Sequence, residues 1–264
     1  MGKTLQTPRR RGFSNVGPTS VVEAPEVRTP RLDTASPAAE PPPPPPTGVP
    51  GVTADRELPE LPSVSVICPT YNRPGMHEKL YSVFHAQDYP KKELWVLDDT
   101  HAPSAFFGKC SDPEVHYVHN RQKRTIGAKR NQLIAMSTGP LIAHFDDDDW
   151  YAPNYLSSMI EALILHDADF AKLAMWREYR QHDGHRRLFD ARRQKHANMW
   201  GWGFSYVYRR YVATHVRFPN LNTGEDYAFV QAIHAAKILK THQVEGGAEW
   251  IEHLLHGRNV SRKE

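Results

Sequence analysis

The feature that most constrains the fold of this 264-residue chain is an apolar run that ends in four consecutive aspartates. The apolar run is residues 141–145 (LIAHF), and the aspartates are residues 146–149. Such a run is typical of a strand buried in a parallel sheet, where ligands gather at the carboxyl ends of the strands. Four like charges at one place repel one another, and a hard divalent cation, Mg²⁺ or Mn²⁺, would neutralise them. The alternative is a solvated acidic turn that caps a helix starting near Asn154.

The composition of the chain changes sharply near residue 60. Residues 1–60 hold 13 of the 22 prolines, including the unbroken run at 41–46, and almost no apolar clusters. A segment of this kind buries too little apolar surface to offset its ordering entropy. We therefore predict a disordered, proline-rich tail over residues 1–60, followed by one folded domain over residues 61–264.

Charge, cysteine content and the absence of long apolar runs indicate which kinds of protein and which compartment fit this sequence. The formal net charge of +3 is too small to indicate nucleic-acid binding. The two cysteines give no disulfide framework and favour a reducing compartment. The sequence contains neither an apolar run long enough to span a membrane nor the apolar core of a signal peptide. A cytoplasmic protein with no membrane span is the expectation.

Strands and helices alternate along the first half of the folded part. Strands are predicted at 64–68, 94–97, 115–118 and 141–145, and helices around Leu80, over 127–136 and over 154–166. This alternation predicts an α/β fold with a mainly parallel sheet flanked by helices. In the less regular second half, strands are predicted at 170–175 and 204–208, a hairpin turn at 183–184 and a helix over 226–236.

Polar turns follow three of the predicted strands, at residues 70–73, 98–99 and 146–149. Because the carboxyl ends of parallel strands lie along one edge of a sheet, these turns are predicted to share a cleft. Thr70 offers a hydroxyl and Tyr71 an aromatic face for a nucleotide base, although a packed turn aromatic is the competing interpretation of Tyr71. Asp98 or Asp99 can accept hydrogen bonds from a base or a ribose.

A basic stretch with a glycine lies just before the acidic strand, at residues 124–131 (RTIGAKRN). Gly127 permits close approach of the backbone, and the N-terminus of the helix that follows favours anions. Arg130 and Asn131 are candidates for contact with a phosphate or a base. Lys129 is expected to lie on a solvated helix face.

A second acidic element, residues 222–226 (NTGED), opens the last predicted helix. It is either an ordinary N-terminal cap or the site of a general base whose ionised form the helix N-terminus stabilises. Two histidines follow near the end of the chain. We expect His253 to be structural and favour His256, which precedes a glycine, as a possible ligand.

Five of these segments, taken in order, resemble family 2 glycosyltransferases with the GT-A fold. They are residues 64–73 (VSVICPTYNR), 93–99 (ELWVLDD), 127–131 (GAKRN), 142–153 (IAHFDDDDWYAP) and 223–226 (TGED). The acidic motif of that family, Asp-x-Asp-Asp before an aromatic residue and a proline, matches Asp146, Asp148 and Asp149. The resemblance covers residues 64–261 and implies a GT-A catalytic domain over residues 61–264.

The resemblance also implies roles for individual residues. Asp148 would bind Mn²⁺ or Mg²⁺, with Asp146 and His256 as further ligands, whereas Asp149 is expected mainly to cap the next turn. Asp226 matches the catalytic base. The residues implied to bind the nucleotide-diphosphate sugar, or in the case of Trp202 also the acceptor, are Thr70, Tyr71, Arg73, Asp98, Asp99, Arg130, Asp146, Asp147, Trp202 and Glu225.

The function implied is an inverting, metal-dependent glycosyltransferase. It would move a sugar from a nucleotide-diphosphate sugar to a hydroxyl group of a glycan, lipid, protein or small molecule by direct displacement. One alternative is a metal-dependent phosphoryl-transfer enzyme or nuclease that uses the aspartates. The other is a non-catalytic protein that binds nucleotide sugars or acts through its proline-rich tail.

Overall fold

The computed structural model describes residues 60–194 and 198–257. The predicted proline-rich tail therefore lies outside the described residues, apart from its last residue, Glu60. The strands are β1 (Val64–Thr70), β2 (Lys92–Asp98), β3 (Val115–His119), β4 (Leu141–His144), β5 (Trp150–Tyr151), β6 (Phe170–Leu173), β7 (Met175–Arg180), β8 (His185–Asp190), β9 (Val207–Arg209), β10 (Thr241–Val244) and β11 (Ile251–Leu255). The α-helices are α1 (His77–His85), α2 (Ile126–Met136), α3 (Tyr155–Leu165), α4 (Val212–His215) and α5 (Glu225–Ala236).

A seven-stranded, mostly parallel sheet forms the centre of the domain, in the order β10-β6-β9-β4-β1-β2-β3. Strand β1 pairs in parallel with both β2 and β4, so the turns that follow these three strands lie at the same edge. Strand β9 runs antiparallel between β4 and β6. The predicted α/β fold with a mainly parallel sheet and flanking helices is confirmed.

Helices cover both faces of this sheet, which explains why β1 is buried along its length. Its side chains alternate: Val64 and Val66 pack with α1 and α3, whereas Ile67 packs with α2 and α5 on the other face. A strand that is buried on both faces reads as a nearly continuous apolar run, as the sequence shows. Among the described residues, no helix combines the length and the apolar character needed to cross a membrane.

A smaller sheet, in the order β5-β11-β7-β8, stands beside the acidic edge. The predicted hairpin turn at residues 183–184 is found, joining β7 to β8. The predicted strand at 170–175 is instead two strands in different sheets, because Ala174 ends the pairing of β6 and the chain then enters β7. The predicted strand at 204–208 begins with a 3₁₀ turn, the backbone becomes extended at Tyr206, and the paired strand β9 starts at Val207.

Candidate active site

The turns after β1 and β4 open into a cavity of about 570 Å³. Helix α2 and the loop that leads into α5 supply further walls of this cavity. The candidate residues that line it are Tyr71, Arg73, Arg130, Asp146, Asp147, Asp148, Trp202, Glu225 and Asp226. The structure thus brings together residues from four of the five segments that carry the family resemblance.

Asp146, Asp147 and Asp148 line the floor of the cavity and Asp149 lies beside them; we call these four residues the aspartate floor. Three of the four converge. One oxygen each of Asp146, Asp148 and Asp149 lies within 4.8 Å of the others. Burial raises the pKa of Asp146 to about 7, and the neighbouring charge of Asp149 adds to the shift. Burial also raises the pKa of Asp147 and of Asp149. The cluster therefore resists full ionisation unless positive charge is supplied, and its oxygen-rich character suits a hard divalent cation.

Two basic side chains already meet Asp148. Arg73 Nη1 donates to Asp148 Oδ2 at 2.6 Å and to Asp147 Oδ1 at 2.6 Å. His256 Nε2 lies 2.7 Å from the same Asp148 oxygen. Burial would raise the pKa of Asp148, but the hydrogen bond from His256 and the charge of Arg73 outweigh it and hold the pKa below its usual value. Among the four aspartates, Asp148 is therefore the one whose ionised form its neighbours favour most, which suits a metal ligand.

Asp149 reaches across to β11. Both of its oxygens lie 2.9 Å from His253 Nδ1, and Oδ1 also accepts from the backbone of Leu254 at 2.9 Å. The expectation that Asp149 mainly caps the next turn is wrong, because its carboxylate joins the two sheets. Burial disfavours a charged His253, but Asp149 outweighs burial and raises the pKa of His253 to about 9. His253, predicted from the sequence to be structural, lines the cavity, whereas His256, the predicted ligand, meets Asp148. In β11, His253 lies on the same face as the buried Ile251 and Leu255. This two-residue periodicity is the sequence signal that His253 faces inward.

Arg130 connects the aspartate floor to helix α5. Its Nη1 donates to Glu225 Oε1 at 2.5 Å, and its Nη2 lies 3.9 Å from Asp146 Oδ1. The next residue, Asp226, accepts from the backbone N–H of Gly203 at 3.0 Å. A Cβ on Gly203 would lie 3.0 Å from both Nη atoms of Arg130 and 3.1 Å from Asp226, so only glycine fits there without displacement. The arrangement places a second acidic site, separate from the cluster, in the same cavity.

The model of glycosyl transferase family 2 matches residues 65–219, which is more than half of the chain. The chain belongs to this family. The family predicted from the five sequence segments is thereby confirmed.

Several curated proteins are similar to a part of this chain. WcaA of Escherichia coli K12, named as a colanic acid biosynthesis glycosyl transferase, is 30% identical over 112 residues, or 40% of each chain. The Escherichia coli protein WfgD, a UDP-Glc:alpha-D-GlcNAc-diphosphoundecaprenol beta-1,3-glucosyltransferase, is 28% identical over 109 residues, which span 40% of this chain and 43% of WfgD. The chain thus matches less than half the length of these relatives.

Solved structures show the same fold at low sequence identity. S. aureus TarS 1-349 in complex with UDP-GlcNAc has a TM-score of 0.61 and 16% identity, covering 75% of this chain and 60% of TarS 1-349. The mannosyltransferase PcManGT from Pyrobaculum calidifontis, in complex with GDP-Man and Mn²⁺, has a TM-score of 0.58 and 19% identity, covering 76% and 59%. These likenesses confirm the GT-A fold of the family 2 domain.

Two of the donor-binding candidates, Asp98 and Asp99, are buried behind the cavity and do not line it. Asp98 accepts from the backbone of Thr100 at 2.9 Å and from the hydroxyl of Tyr117 at 2.8 Å. Asp99 accepts from the backbone of Arg124 at 2.6 Å. In this structure the two carboxylates hold the turn after β2 in place, and their contact with a base or ribose stays a prediction.

The position of Lys129 differs from the solvated helix face predicted from the sequence. It is only 3% exposed and donates to Asp99 Oδ1 and to the carbonyl oxygen of Thr70, both at 2.8 Å. The expected solvated lysine is wrong because the first turn of α2 faces the edge of the sheet, where Lys129 ties together the turns after β1 and β2. The sequence contains one signal for the burial of Lys129. This residue stands next to Arg130 in a helix that is expected to pack on the acidic ends of the strands.

Thr70 and Tyr71, two of the three candidates at the end of β1, differ in position. The hydroxyl of Thr70 is buried and donates to Asp147 Oδ2 at 2.5 Å, so Thr70 supports the aspartate floor from behind. Tyr71 is 42% exposed and lines the cavity, with Lys123 Nζ 4.1 Å from its ring centroid. Tyr71 is thus open to the cavity and is not packed in the interior.

Gly127 lies so close to the backbone of Pro219 that we expect no side chain to fit at this position. A Cβ at this position would lie 1.9 Å from the carbonyl oxygen of Pro219, in the loop whose Leu221 carbonyl accepts from the Gly127 N–H at 3.1 Å. Alanine gains up to about 1 kcal/mol of helix propensity, but the clash costs more, typically 1–3 kcal/mol. We expect Gly127→Ala to lower the free energy of unfolding in urea. Gly108→Ala, where a Cβ meets nothing within 4 Å, is the matched control; equal stability of the two variants would contradict the close approach.

Proposed function

We propose that this protein is an inverting, metal-dependent glycosyltransferase that moves a sugar from a nucleotide-diphosphate sugar to a hydroxyl acceptor. The observation that carries the proposal is that one cavity contains both a convergent carboxylate cluster and a separate carboxylate, Asp226. A cluster of this kind suits a metal-bound diphosphate, and an isolated carboxylate suits proton abstraction from an acceptor. Family membership favours this chemistry over the phosphoryl-transfer and non-catalytic alternatives.

A nucleotide-diphosphate sugar is the donor we propose. TarS and PcManGT, which share the fold, were solved with UDP-GlcNAc and with GDP-Man and Mn²⁺. In this chain, the exposed ring of Tyr71 offers a stacking face for a base at the mouth of the cavity. Thr70, Asp98 and Asp99 would support the base and ribose subsite from behind. Donor contacts are further proposed for Arg73, Arg130, Asp146, Asp147 and Glu225, and Trp202 is proposed to contact mainly the acceptor; all six line the cavity.

The aspartate floor fits a divalent cation on chemical grounds. Its oxygen atoms converge, three of its four carboxylates are buried, and His256 and Arg73 hold the pKa of Asp148 below its usual value. We propose that Asp148, Asp146 and His256 hold Mn²⁺ or Mg²⁺, with Asp149 close by. When bound, the ion supplies Lewis acidity that stabilises the charge of the departing diphosphate.

Asp226 is the proposed catalytic base. Its two oxygens accept backbone hydrogen bonds from Gly203 at 3.0 Å and from Tyr227 at 2.7 Å. Asp226 also lies in the first turn of α5, where the helix dipole favours a negative charge. The ionised carboxylate would remove the proton of the acceptor hydroxyl as the oxygen attacks the anomeric carbon. A single displacement of this kind inverts the anomeric configuration.

A donor panel tests the proposal. The full-length protein would be incubated with Mn²⁺ or Mg²⁺ and a set of UDP-, GDP-, CDP- and dTDP-sugars, and both thermal shift and nucleoside diphosphate release would be measured. We expect one donor to raise the melting temperature in the presence of metal and to release its nucleoside diphosphate. A folded protein that neither binds nor consumes any of these donors would contradict the proposal.

A further inference from the structure

Lys172, on β6, has no role in the mechanism above, yet its side chain is fully buried. Its Nζ donates to the carbonyl oxygen of Met199 at 2.9 Å and lies 5.4 Å from the ring centroids of both Trp176 and Trp202. Burial lowers the pKa of Lys172 to about 7, although the charge of Asp226 opposes the shift. Burying an ammonium group is costly, so its presence here calls for a physical reason.

The ammonium group of Lys172 anchors the loop of residues 199–203, which we call the tryptophan loop. The Met199 carbonyl accepts a second bond from Gln243 Nε2 at 3.2 Å, and the Trp200 carbonyl accepts from the hydroxyl of Tyr206 at 2.6 Å. Trp202 has a φ of 65°, a left-handed conformation that a bulky residue rarely adopts. Such a conformation persists only when surrounding contacts enforce it.

The tryptophan loop connects Lys172 to the proposed chemistry. The indole of Trp202 lines the cavity, and one of its faces is turned to the Lys172 ammonium group. The residue after it, Gly203, donates its backbone N–H to Asp226 Oδ2. A shift of this loop would therefore move both the cavity wall and the carboxylate that is proposed to activate the acceptor.

We propose that Lys172 is a positioning residue for the acceptor step, which holds Trp202 and, through the tryptophan loop, the carboxylate of Asp226. This proposal rests on the proposed function, because it assigns the acceptor hydroxyl to Asp226. The ammonium group is well suited to this task, since it can bind a carbonyl oxygen and two indole faces at the same time. Donor binding at the aspartate floor does not involve Lys172.

Lys172→Met separates positioning from a merely structural role. Methionine fills a similar volume, and an apolar replacement of a buried charge is often neutral or stabilising. A structural role alone therefore predicts normal activity in a folded variant. The positioning role predicts a fall in kcat of about 10- to 100-fold or a matching rise in the acceptor KM, because small misplacements of reacting groups cost this much. The donor KM is expected to stay within about 2-fold of the wild-type value.

The experiment compares full-length Lys172→Met with Lys109→Met, a matched lysine change at an exposed position. Donor and acceptor are varied separately in steady-state assays. Equal kinetic parameters for wild type and Lys172→Met, or equal losses toward donor and acceptor, would overturn the proposal. If Lys172→Met does not fold, Lys172→Gln takes its place, because glutamine keeps a donor for the Met199 carbonyl but removes the charge. Lys172→Gln is expected to show the same loss toward the acceptor. Normal acceptor kinetics of this variant would overturn the proposal.

A fluorescence measurement distinguishes failure of this proposal from failure of the proposed function. Tryptophan emission is recorded for wild type and Lys172→Met, and again in a Trp202→Phe background. We expect the Lys172 change to alter the emission more when Trp202 is present than in the Trp202→Phe background, where the ring centroid of Trp176 still lies 5.4 Å from Lys172 Nζ; an equal change in both backgrounds would overturn the positioning of Trp202. If no donor supports transfer by the wild type, the proposed function fails, while this emission change still supports the positioning of Trp202. No emission change in either background would overturn the positioning role itself.

Discussion

Asp226→Asn is expected to reduce kcat for sugar transfer by about 10³-fold while leaving the affinity for the donor nearly unchanged. General bases typically contribute 10²- to 10⁴-fold, and an amide cannot take a proton from the acceptor hydroxyl at neutral pH. The donor sites proposed on the aspartate floor do not include this carboxylate. Single-turnover transfer assays would measure the loss, and isothermal titration with Mn²⁺ and the donor would measure the affinity.

Asp167→Asn is the matched control for this change, because Asp167 is an exposed carboxylate outside the cavity. It is expected to leave transfer unaltered. Wild-type turnover by a folded Asp226→Asn variant would show that the base lies elsewhere. A loss confined to donor affinity would instead place Asp226 in the donor site.

Asp148→Asn is expected to weaken metal-dependent donor binding by about 100-fold or more and to suppress transfer with it. A bound metal commonly supplies several kcal/mol of charge stabilisation, and each 1.4 kcal/mol corresponds to a tenfold change in affinity. Asp148 is the carboxylate of the cluster whose pKa is held low, beside Arg73 and His256, so it is the member that we expect to carry the charge a metal ligand needs.

Titration of donor affinity against Mn²⁺ concentration provides the measurement for Asp148→Asn. In the wild type, donor affinity should rise with Mn²⁺ and fall again after chelation with EDTA. In the variant, the curve should stay flat or shift to much higher Mn²⁺, with circular dichroism confirming that the protein is folded. An unchanged Mn²⁺ dependence would remove Asp148 from the metal site.

Much of the fold follows from local sequence patterns. Strands β1 and β4 are buried on both faces and β2 is buried toward its carboxyl end, and their apolar runs end at polar turns, so their existence, direction and shared edge could be predicted from the sequence. The acidic floor could be located for the same reason, since residues 146–149 follow β4 directly. These features depend on only a few neighbouring residues.

The features that the sequence did not indicate depend on contacts between distant segments. Lys129 is buried because the carboxylate of Asp99, 30 residues away, meets it at the edge of the sheet. His253 belongs to the site because β11 pairs beside β7 and brings it to Asp149, 104 residues away. In the sequence, nothing distinguishes Lys172 from other strand residues. Its role is visible only from its contact with the tryptophan loop. Periodicity and motif spacing carry no information about such long-range partners.

The position of His253 and His256 along the chain has a consequence for how the domain folds. Both lie within hydrogen-bond distance of aspartates that follow β4, yet both belong to the last described part of the chain, in or just after β11. During synthesis the acidic edge is therefore made more than 100 residues before its histidine partners. Until β11 docks, the aspartates lack these partners and repel one another. The entropic cost of closing so long a loop slows the docking. The acidic floor should be among the last regions to become protected from hydrogen exchange during refolding.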